Sequence, residues 1–368
     1  MTPPSDITFQ INLCAGDADY SGKTLPALIA TCRDKVAEVL IVLDECYPQA
    51  SPVFRPAERF SQELFRERLE IVRDLCRTWK QQGLVDRVES LKPGDALIAE
   101  LNSKYTGEDT PWTHDHWGHA FTAYFAAWDF PRTRFVLHSD ADIFLHDATA
   151  GAWISEACDL LKARAETVAL SPRIAPPPEN DAEMIRHGCK ESACLPTWTL
   201  KKTENGWASN WPSTRFHLID RDKLGALLPL NPTMGKVAQR SARRWNELLA
   251  PAFTWRSWTA HESPDALPEF FHRVLRKAAH HWIPPYPLPP EVLLFERAAA
   301  AGRGFFYLDR KDAWYVHPET KPKEFFGVLD DLLARVPVGG FPESQRGLSG
   351  IVVGEWAALR DSAEASGC

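Results

Sequence analysis

Two aspartates separated by one residue, Asp140 and Asp142, carry the clearest chemical signal in the sequence. They lie within RFVLHSDADIFLH (Arg134–His146), where apolar runs flank the acidic pair on both sides. Alternate side chains of an extended chain point in the same direction, so both carboxylates can reach one point. Carboxylate oxygens suit Mg²⁺ or Mn²⁺, which keep waters and share substrate phosphates. The pair therefore predicts a divalent cation that is bound together with a phosphate-containing substrate.

The elements around this pair follow the order of an α/β protein. Ile7–Leu13 and Val36–Leu43 are predicted strands, and helical spacing over Thr24–Asp34 predicts a helix between them. Strand, helix and strand in this order are typical of a βαβ unit with parallel strands. Arg134–Leu145 is predicted as a later strand, and open parallel sheets bind ligands where such strands end. We predict an open, mostly parallel sheet flanked by helices, with a C-terminal helical extension.

Length and composition limit the domain organisation and the partners. The chain has 368 residues, of which 44% are hydrophobic and 25% charged, so a sizeable core is available. Single cores rarely exceed about 250–300 residues. We therefore expect a catalytic domain over residues 1–285 and an extension over residues 286–368 that packs on it. The net charge of -7 disfavours a nucleic-acid partner, which usually selects a basic surface.

Cysteine usage and the lack of long apolar runs predict a cytoplasmic location. The 8 cysteines are scattered without a CxxC pair, and we expect reduced thiols in a reducing compartment. The N-terminus lacks the basic-then-apolar pattern of a signal peptide. No apolar run approaches the roughly 18–20 residues that span a bilayer, so no transmembrane segment is expected.

The acidic pair and its surroundings resemble the DxD motif of GT-A-fold glycosyltransferases, especially the family 2-like group. The resemblance covers Ile7–His281, by the order of elements more than by identity. It implies a metal-dependent hexosyl- or related transferase that moves a sugar from a nucleoside diphosphate donor to an acceptor. In that family the first aspartate contacts the ribose or the metal, and the second ligates the metal. Asp140 and Asp142 take these roles by resemblance, with Mn²⁺ or Mg²⁺ as the cofactor.

The same resemblance implies residues that bind the nucleoside. The loop after the first strand, which contains Asp17 and Asp19, corresponds to the place where the family binds base and ribose. The second strand ends at Asp44, where the family often has an acidic residue that recognises the base.

A third metal ligand is also implied. Many GT-A enzymes supply a histidine from beyond the core, and His317 in the segment WYVHP corresponds to it. Lys321 and Lys323 follow closely and could meet a diphosphate as point charges.

Inverting enzymes of this fold need a carboxylate that deprotonates the acceptor hydroxyl. The family often places it at the start of a late helix, which implies Glu262 or Asp265, with Glu269 behind them. Helix capping explains these residues equally well, and a retaining mechanism would remove the assignment. The acceptor itself could be a small molecule, a glycan or a lipid-linked sugar.

Two other functional classes remain open. A metal-dependent hydrolase would use a cluster of His114, His116, His119, Asp140 and Asp142, in which a bound cation activates water. Within it, His116 and His119 share a face if a helix begins at His116, as the spacing predicts. A non-catalytic sugar-binding module is the third class, because the chain has 14 tryptophans and exposed tryptophans suit sugars.

Overall fold

The computed structural model of the chain describes residues 6–50, 55–115, 118–180, 182–186, 199–230 and 289–366. The strands of these residues are β1 (Ile7–Cys14), β2 (Glu38–Asp44), β3 (Arg87–Leu91), β4 (Phe135–Asp140), β5 (Phe144–Asp147), β6 (Thr167–Ser171), β7 (Leu200–Thr203), β8 (Gly206–Ser209), β9 (Phe216–Asp220), β10 (Gly304–Leu308) and β11 (Ala313–Val316).

Nine of these described strands form one sheet in the order β3-β2-β1-β4-β9-β6-β10-β8-β7. Its first four strands are parallel, and only β9 and β8 run against the common direction. The remaining two, β5 and β11, pair antiparallel in a separate small sheet. The prediction of a mostly parallel sheet is confirmed.

The described helices are α1 (Ser21–Cys32), α2 (Pro56–Arg59), α3 (Gln62–Gln81), α4 (Ala96–Thr106), α5 (Thr122–Asp129), α6 (Ala152–Ala163), α7 (Arg221–Gly225), α8 (Pro290–Ala300), α9 (Lys323–Arg335) and α10 (Val353–Ser366). The longest, α3, begins after Ser61, whose hydroxyl oxygen accepts a hydrogen bond from the Leu64 amide at 3.1 Å. None of the helices in the described ranges combines the length and apolar character that crossing a bilayer requires.

Helices cover both faces of the sheet because its central strands are apolar on both sides. In β2, Val39, Ile41 and Leu43 pack in a cluster with α1, α3, α6 and α9. Leu40 and Val42, which point the other way, pack in a second cluster with α4, α5 and α8. Burial on both faces is the usual state of strands in a parallel α/β sheet. The predicted α/β class is therefore confirmed.

The C-terminal residues contribute directly to this architecture. Strand β10 lies inside the large sheet, between β6 and β8. The side chain of Trp356 in α10 is buried, and its Nε1 donates to Gln345 Oε1 at 3.1 Å. The predicted boundary between residues 285 and 286 falls outside the described ranges and stays a prediction.

The strand predicted over Arg134–Leu145 is interrupted at its acidic pair. β4 ends at Asp140 and β5 begins at Phe144, with a turn between them. The carbonyl oxygen of Ala141 in this turn accepts a hydrogen bond from the Thr24 hydroxyl of α1 at 2.9 Å. The turn, rather than strand alternation, therefore sets the position of Asp142 relative to Asp140.

The helix predicted from His116 begins six residues later, at Thr122. Local hydrogen bonds hold the preceding residues in a loop: the Phe121 amide donates to the Thr113 carbonyl at 2.9 Å, and the His119 amide donates to Asp115 Oδ1 at 2.9 Å. The expectation of a helical face shared by His116 and His119 is wrong, because His119 precedes the helix. His116 lies outside the described residues.

Candidate active site at the carboxyl edge of the sheet

The carboxyl ends of β1, β2 and β4 meet at one edge of the sheet. Cys14 pairs with Asp44 across β1 and β2, and Asn12 pairs with Asp140 across β1 and β4. Since β9 runs the opposite way, its start lies at this edge, and the Arg215 carbonyl accepts a hydrogen bond from the Asp140 amide at 2.8 Å. Ligands of open α/β sheets bind at such an edge.

Asp140 is oriented by α5 and lies next to a guanidinium group. The Tyr124 hydroxyl is 2.9 Å from Oδ1 and 3.1 Å from Oδ2 of Asp140. The Arg215 Nη1 atom is 3.9 Å from Asp140 Oδ2. Burial, followed by the negative charge of Asp142, raises the pKa of Asp140 to about 7. A cation beside Asp140 would therefore stabilise its ionised form.

Asp142 is buried in the turn after β4 and forms an ion pair with Lys321. It is 5% exposed, and its Oδ2 atom is 2.6 Å from the Lys321 ammonium. Its other oxygen, Oδ1, is buried without a hydrogen-bonding partner. Burial raises the pKa of Asp142, but the positive charges of Lys321 and Arg215 outweigh burial and leave the pKa lowered. Asp142 is therefore an ionised carboxylate with one free oxygen.

The small β5–β11 sheet brings His317 and Lys321 to this turn. Because Val316 pairs with Phe144 in antiparallel register, the chain after Val316 runs back past Asp142. His317 is 6% exposed, and its Nδ1 atom has no hydrogen-bonding partner. Burial lowers the pKa of His317 to about 3, so the imidazole is neutral, which is its metal-binding form.

Two of the predicted metal ligands have a buried atom that could bind a cation, but the described residues do not form a preassembled metal site. Asp142 and His317 each present a buried polar atom that lacks a partner. Across the described ranges, however, no three His, Cys, Asp or Glu side chains are grouped as a metal site. Asp140, Asp142 and His317 are therefore not gathered into one ligand set, and a cation here would depend on water and substrate phosphates for much of its coordination.

Asp17 faces this site, whereas Asp19 is directed to α3. Asp17 accepts a hydrogen bond from the Cys14 amide at 2.8 Å and another from the Tyr20 hydroxyl. Burial raises the pKa of Asp17, and the positive charge of Lys321 opposes that shift. Asp19 is exposed and forms an ion pair with Arg68.

Asp44 ends β2 as a buried carboxylate beside an imidazole. Its Oδ1 accepts a hydrogen bond from the Cys46 amide at 2.9 Å, and its Oδ2 is 3.8 Å from His114 Nε2. Burial raises the pKa of Asp44, and His114 opposes this shift. Burial disfavours the charged form of His114 too, and so lowers its pKa. Both side chains can form hydrogen bonds with a ligand at this strand end.

The histidines of the hydrolase alternative lie beside other carboxylates. His114 is next to Asp44, and His119 Nδ1 is 3.2 Å from Asp115 Oδ2. Within the described part of the chain these groups do not assemble a metal centre. The described residues therefore do not support the hydrolase alternative.

The carboxylates predicted as the general base, Glu262, Asp265 and Glu269, belong to residues 231–288, which the structure does not describe. They stay predictions. A different carboxylate, Glu291, stands at the start of α8 and accepts a hydrogen bond from the Thr214 hydroxyl at 2.7 Å.

The sequence analysis missed Tyr124 and Arg215 as neighbours of the acidic pair, and Glu291 as a carboxylate near both of them. The negative charge of Glu291 acts on both Tyr124 and Arg215. Glu291 lies in the first turn of a helix, where acidic residues commonly stabilise the helix dipole. Tyr124 within a helix and Arg215 before a strand follow no distinctive sequence spacing. The pairing of β9 with β4 is what reveals that Arg215 adjoins Asp140.

Comparison with known proteins finds distant structural likeness only. No protein-family model and no curated protein matches the chain. A solved structure of the mannosyltransferase PcManGT from Pyrobaculum calidifontis, in complex with GDP-Man and Mn2+, is 14% identical with a TM-score of 0.29, covering 82% of this chain and 74% of that chain. A mannose-1-phosphate geranyltransferase from Thermus thermophilus is 10% identical with a TM-score of 0.30, covering 83% of this chain and 74% of that chain. TM-scores this low do not define a family.

Proposed function

We propose that the chain is a glycosyltransferase that uses a nucleotide-sugar donor and a divalent cation. The observation that supports this most is the charge arrangement at the end of β4. Asp140 and Asp142 lie there beside two positively charged side chains, Arg215 and Lys321. Carboxylates attract a divalent cation, and guanidinium and ammonium groups attract phosphate. A cation bound to a diphosphate satisfies both halves of this arrangement.

The donor's nucleoside would lie toward β1 and β2. Asp44 and His114 offer hydrogen-bonding groups to the base, and Asp17 offers a carboxylate to the ribose. Asp44 ends β2 and Asp17 follows β1, and β1 lies between β2 and β4 in the sheet. A nucleoside across these strands would direct its diphosphate to the acidic pair.

The diphosphate would meet the acidic pair and its basic neighbours. Asp140, Asp142 and His317 would hold Mn²⁺ or Mg²⁺. When bound, such a cation supplies charge stabilisation to the leaving diphosphate. Lys321 and Arg215 would contact phosphate oxygens directly, so the diphosphate would be neutralised from two sides.

Transfer in an inverting reaction requires a carboxylate on the acceptor side. The acceptor oxygen attacks the anomeric carbon as the bond to the diphosphate breaks, and the acceptor proton passes to that carboxylate. Glu262, Asp265 and Glu269 remain the candidates by resemblance. Glu291 joins them because its charge acts on Arg215.

A thermal-shift screen tests this proposal. UDP, GDP, CDP and dTDP are each added with and without Mn²⁺ to the wild type and to Asp142→Asn. We expect one nucleotide to raise the melting temperature only with Mn²⁺, since a native-state ligand stabilises by about 2.7 kcal/mol at a hundred times its Kd. The Asp142→Asn variant should lose that shift.

The matched control is Asp159→Asn on α6, an exposed aspartate that forms an ion pair with the exposed Lys162 of the same helix. It should keep the full shift. A shift that persists in Asp142→Asn, or no metal-dependent shift with any nucleotide, would contradict the proposal. A protein that binds free sugars regardless of metal would instead be a sugar-binding module.

A further inference from the structure

The ammonium of Lys321 is held among acidic and aromatic groups at the candidate metal site. Its Nζ atom is 2.6 Å from Asp142 Oδ2 and 4.9 Å from the centroid of the Tyr20 ring. The negative charge of Asp17 also acts on it. The lysine side chain is 29% exposed, so it is partly enclosed but has an open path to solvent.

This ammonium contacts the carboxylate that would have to bind a divalent cation. Asp142 is buried, and of its two oxygens Oδ1 is the one without a partner. The unpartnered Nδ1 of His317 is the second buried atom with unused binding capacity. A cation that engages Asp142 and His317 would therefore lie close to the Lys321 ammonium and would be repelled by it.

The chemistry of lysine allows the ammonium to leave without unfolding its surroundings. Lysine carries a compact charge on a flexible stem, unlike the rigid fork of arginine. Lys321 follows β11 and precedes α9, so its backbone lies in a connecting segment rather than inside an element. A diphosphate entering the site would offer the ammonium a new anionic partner.

We propose that Lys321 is a resident counter-ion that competes with the divalent cation for Asp142 and moves to the diphosphate when the donor binds. The first half concerns the cation site alone, and the second half rests on the proposed function. Metal and nucleotide would then bind with positive coupling, since the diphosphate draws the lysine away from Asp142 and a cation at Asp142 releases the lysine to the diphosphate.

The test is the Mn²⁺ affinity of the nucleotide-free protein, followed by electron paramagnetic resonance of free Mn²⁺. Lys321→Met, which keeps the apolar stem and removes the charge, should bind Mn²⁺ about ten- to a hundredfold more tightly than the wild type. Lys321→Arg, which keeps the charge, should bind it as weakly as the wild type. Lys23→Met is the matched control, because Lys23 pairs with the exposed Asp330, and its affinity should be unchanged.

Unchanged or weaker Mn²⁺ binding in Lys321→Met would overturn the inference, as would equal tightening in Lys321→Arg. If Lys321→Met does not fold, Lys321→Gln, which also removes the charge, takes its place and should tighten Mn²⁺ binding as well, and a failure to do so would refute the competition. Asp142→Asn should bind Mn²⁺ more weakly than the wild type. Tight Mn²⁺ binding by Lys321→Met together with no nucleotide binding would leave the competition standing and reject the transferase. Metal-dependent nucleotide binding, together with unchanged Mn²⁺ affinity in Lys321→Met, would leave the transferase standing and reject the competition.

Discussion

The hydroxyl of Tyr124 lies within hydrogen-bonding distance of both carboxylate oxygens of Asp140, at 2.9 and 3.1 Å. The tyrosine ring packs beside His138 and Trp128, with centroid distances of 5.1 and 6.4 Å. Helix α5 therefore fixes the tyrosine, and the tyrosine fixes the orientation of the carboxylate.

Tyr124→Phe removes this hydroxyl and keeps the ring. Outer hydrogen bonds of this kind typically change metal affinity about 10–100-fold, so we expect a loss of that size in Mn²⁺ affinity measured with saturating nucleotide. Tyr105→Phe is the matched control, since its hydroxyl lies 3.4 Å from Asp129, away from the acidic pair. Equal effects of the two variants would show that Tyr124 does not position Asp140.

Binding of Mn²⁺ should weaken in mild acid. The pKa of Asp140 is raised to about 7, so below that pH a proton has to be displaced before the carboxylate can ligate. The apparent affinity should fall about tenfold for each pH unit below 7. Titrations at several pH values on the wild type and Asp140→Asn provide the comparison. The variant should bind more weakly, with a flatter pH dependence; identical slopes would contradict the role of Asp140.

Arg215→Met should weaken nucleoside diphosphate binding about tenfold, since a charge-assisted contact with phosphate would be lost. Calorimetric titration with Mn²⁺ present measures this affinity. Arg134→Met is the control. Arg134 precedes β4 at the end of the β4–β9 pair that lies away from Asp140, and it forms an ion pair with Asp220. If Arg134→Met weakens the nucleotide as much as Arg215→Met, the assignment of Arg215 fails.

The sequence predicted the layers of the fold well, because apolar periodicity reports burial. The apolar run of Val36–Leu43 is a local signal, and β2 formed close to the expected bounds. The Asp142–Lys321 ion pair could not be predicted, since it depends on the pairing of β5 with β11. No local pattern specifies which strand β11 selects.

The start of α5 at Thr122, later in the chain than predicted, has a similar cause. The local sequence predicted a helix, but the Phe121 amide donates a hydrogen bond to the Thr113 carbonyl, far back in the chain. The position of Arg215 beside Asp140 likewise required the antiparallel β9, whereas the βαβ pattern predicts parallel neighbours.

Gly206→Ala tests the placement of β10 in the large sheet. A β-carbon at Gly206 would lie 2.0 Å from the Tyr307 carbonyl oxygen of β10, so the two strands would have to separate. Overpacking of this kind costs about 1–3 kcal/mol, which denaturant unfolding measures. Gly354→Ala in α10 meets no atom within 4 Å and should be neutral or slightly stabilising. A neutral Gly206→Ala would contradict the β8–β10 contact.

The most direct measurement of the central claim is product analysis of donor turnover. A panel of nucleotide sugars is incubated with the protein and Mn²⁺, with water or added sugars as acceptor, and the released nucleotide is identified by mass spectrometry. We predict that one donor yields its nucleoside diphosphate, that chelation of the metal abolishes release, and that Asp142→Asn lowers the rate about a hundredfold or more while Asp159→Asn retains it. Release of a nucleoside monophosphate with a sugar phosphate, unchanged turnover by Asp142→Asn, or no nucleoside diphosphate from any donor would contradict the account.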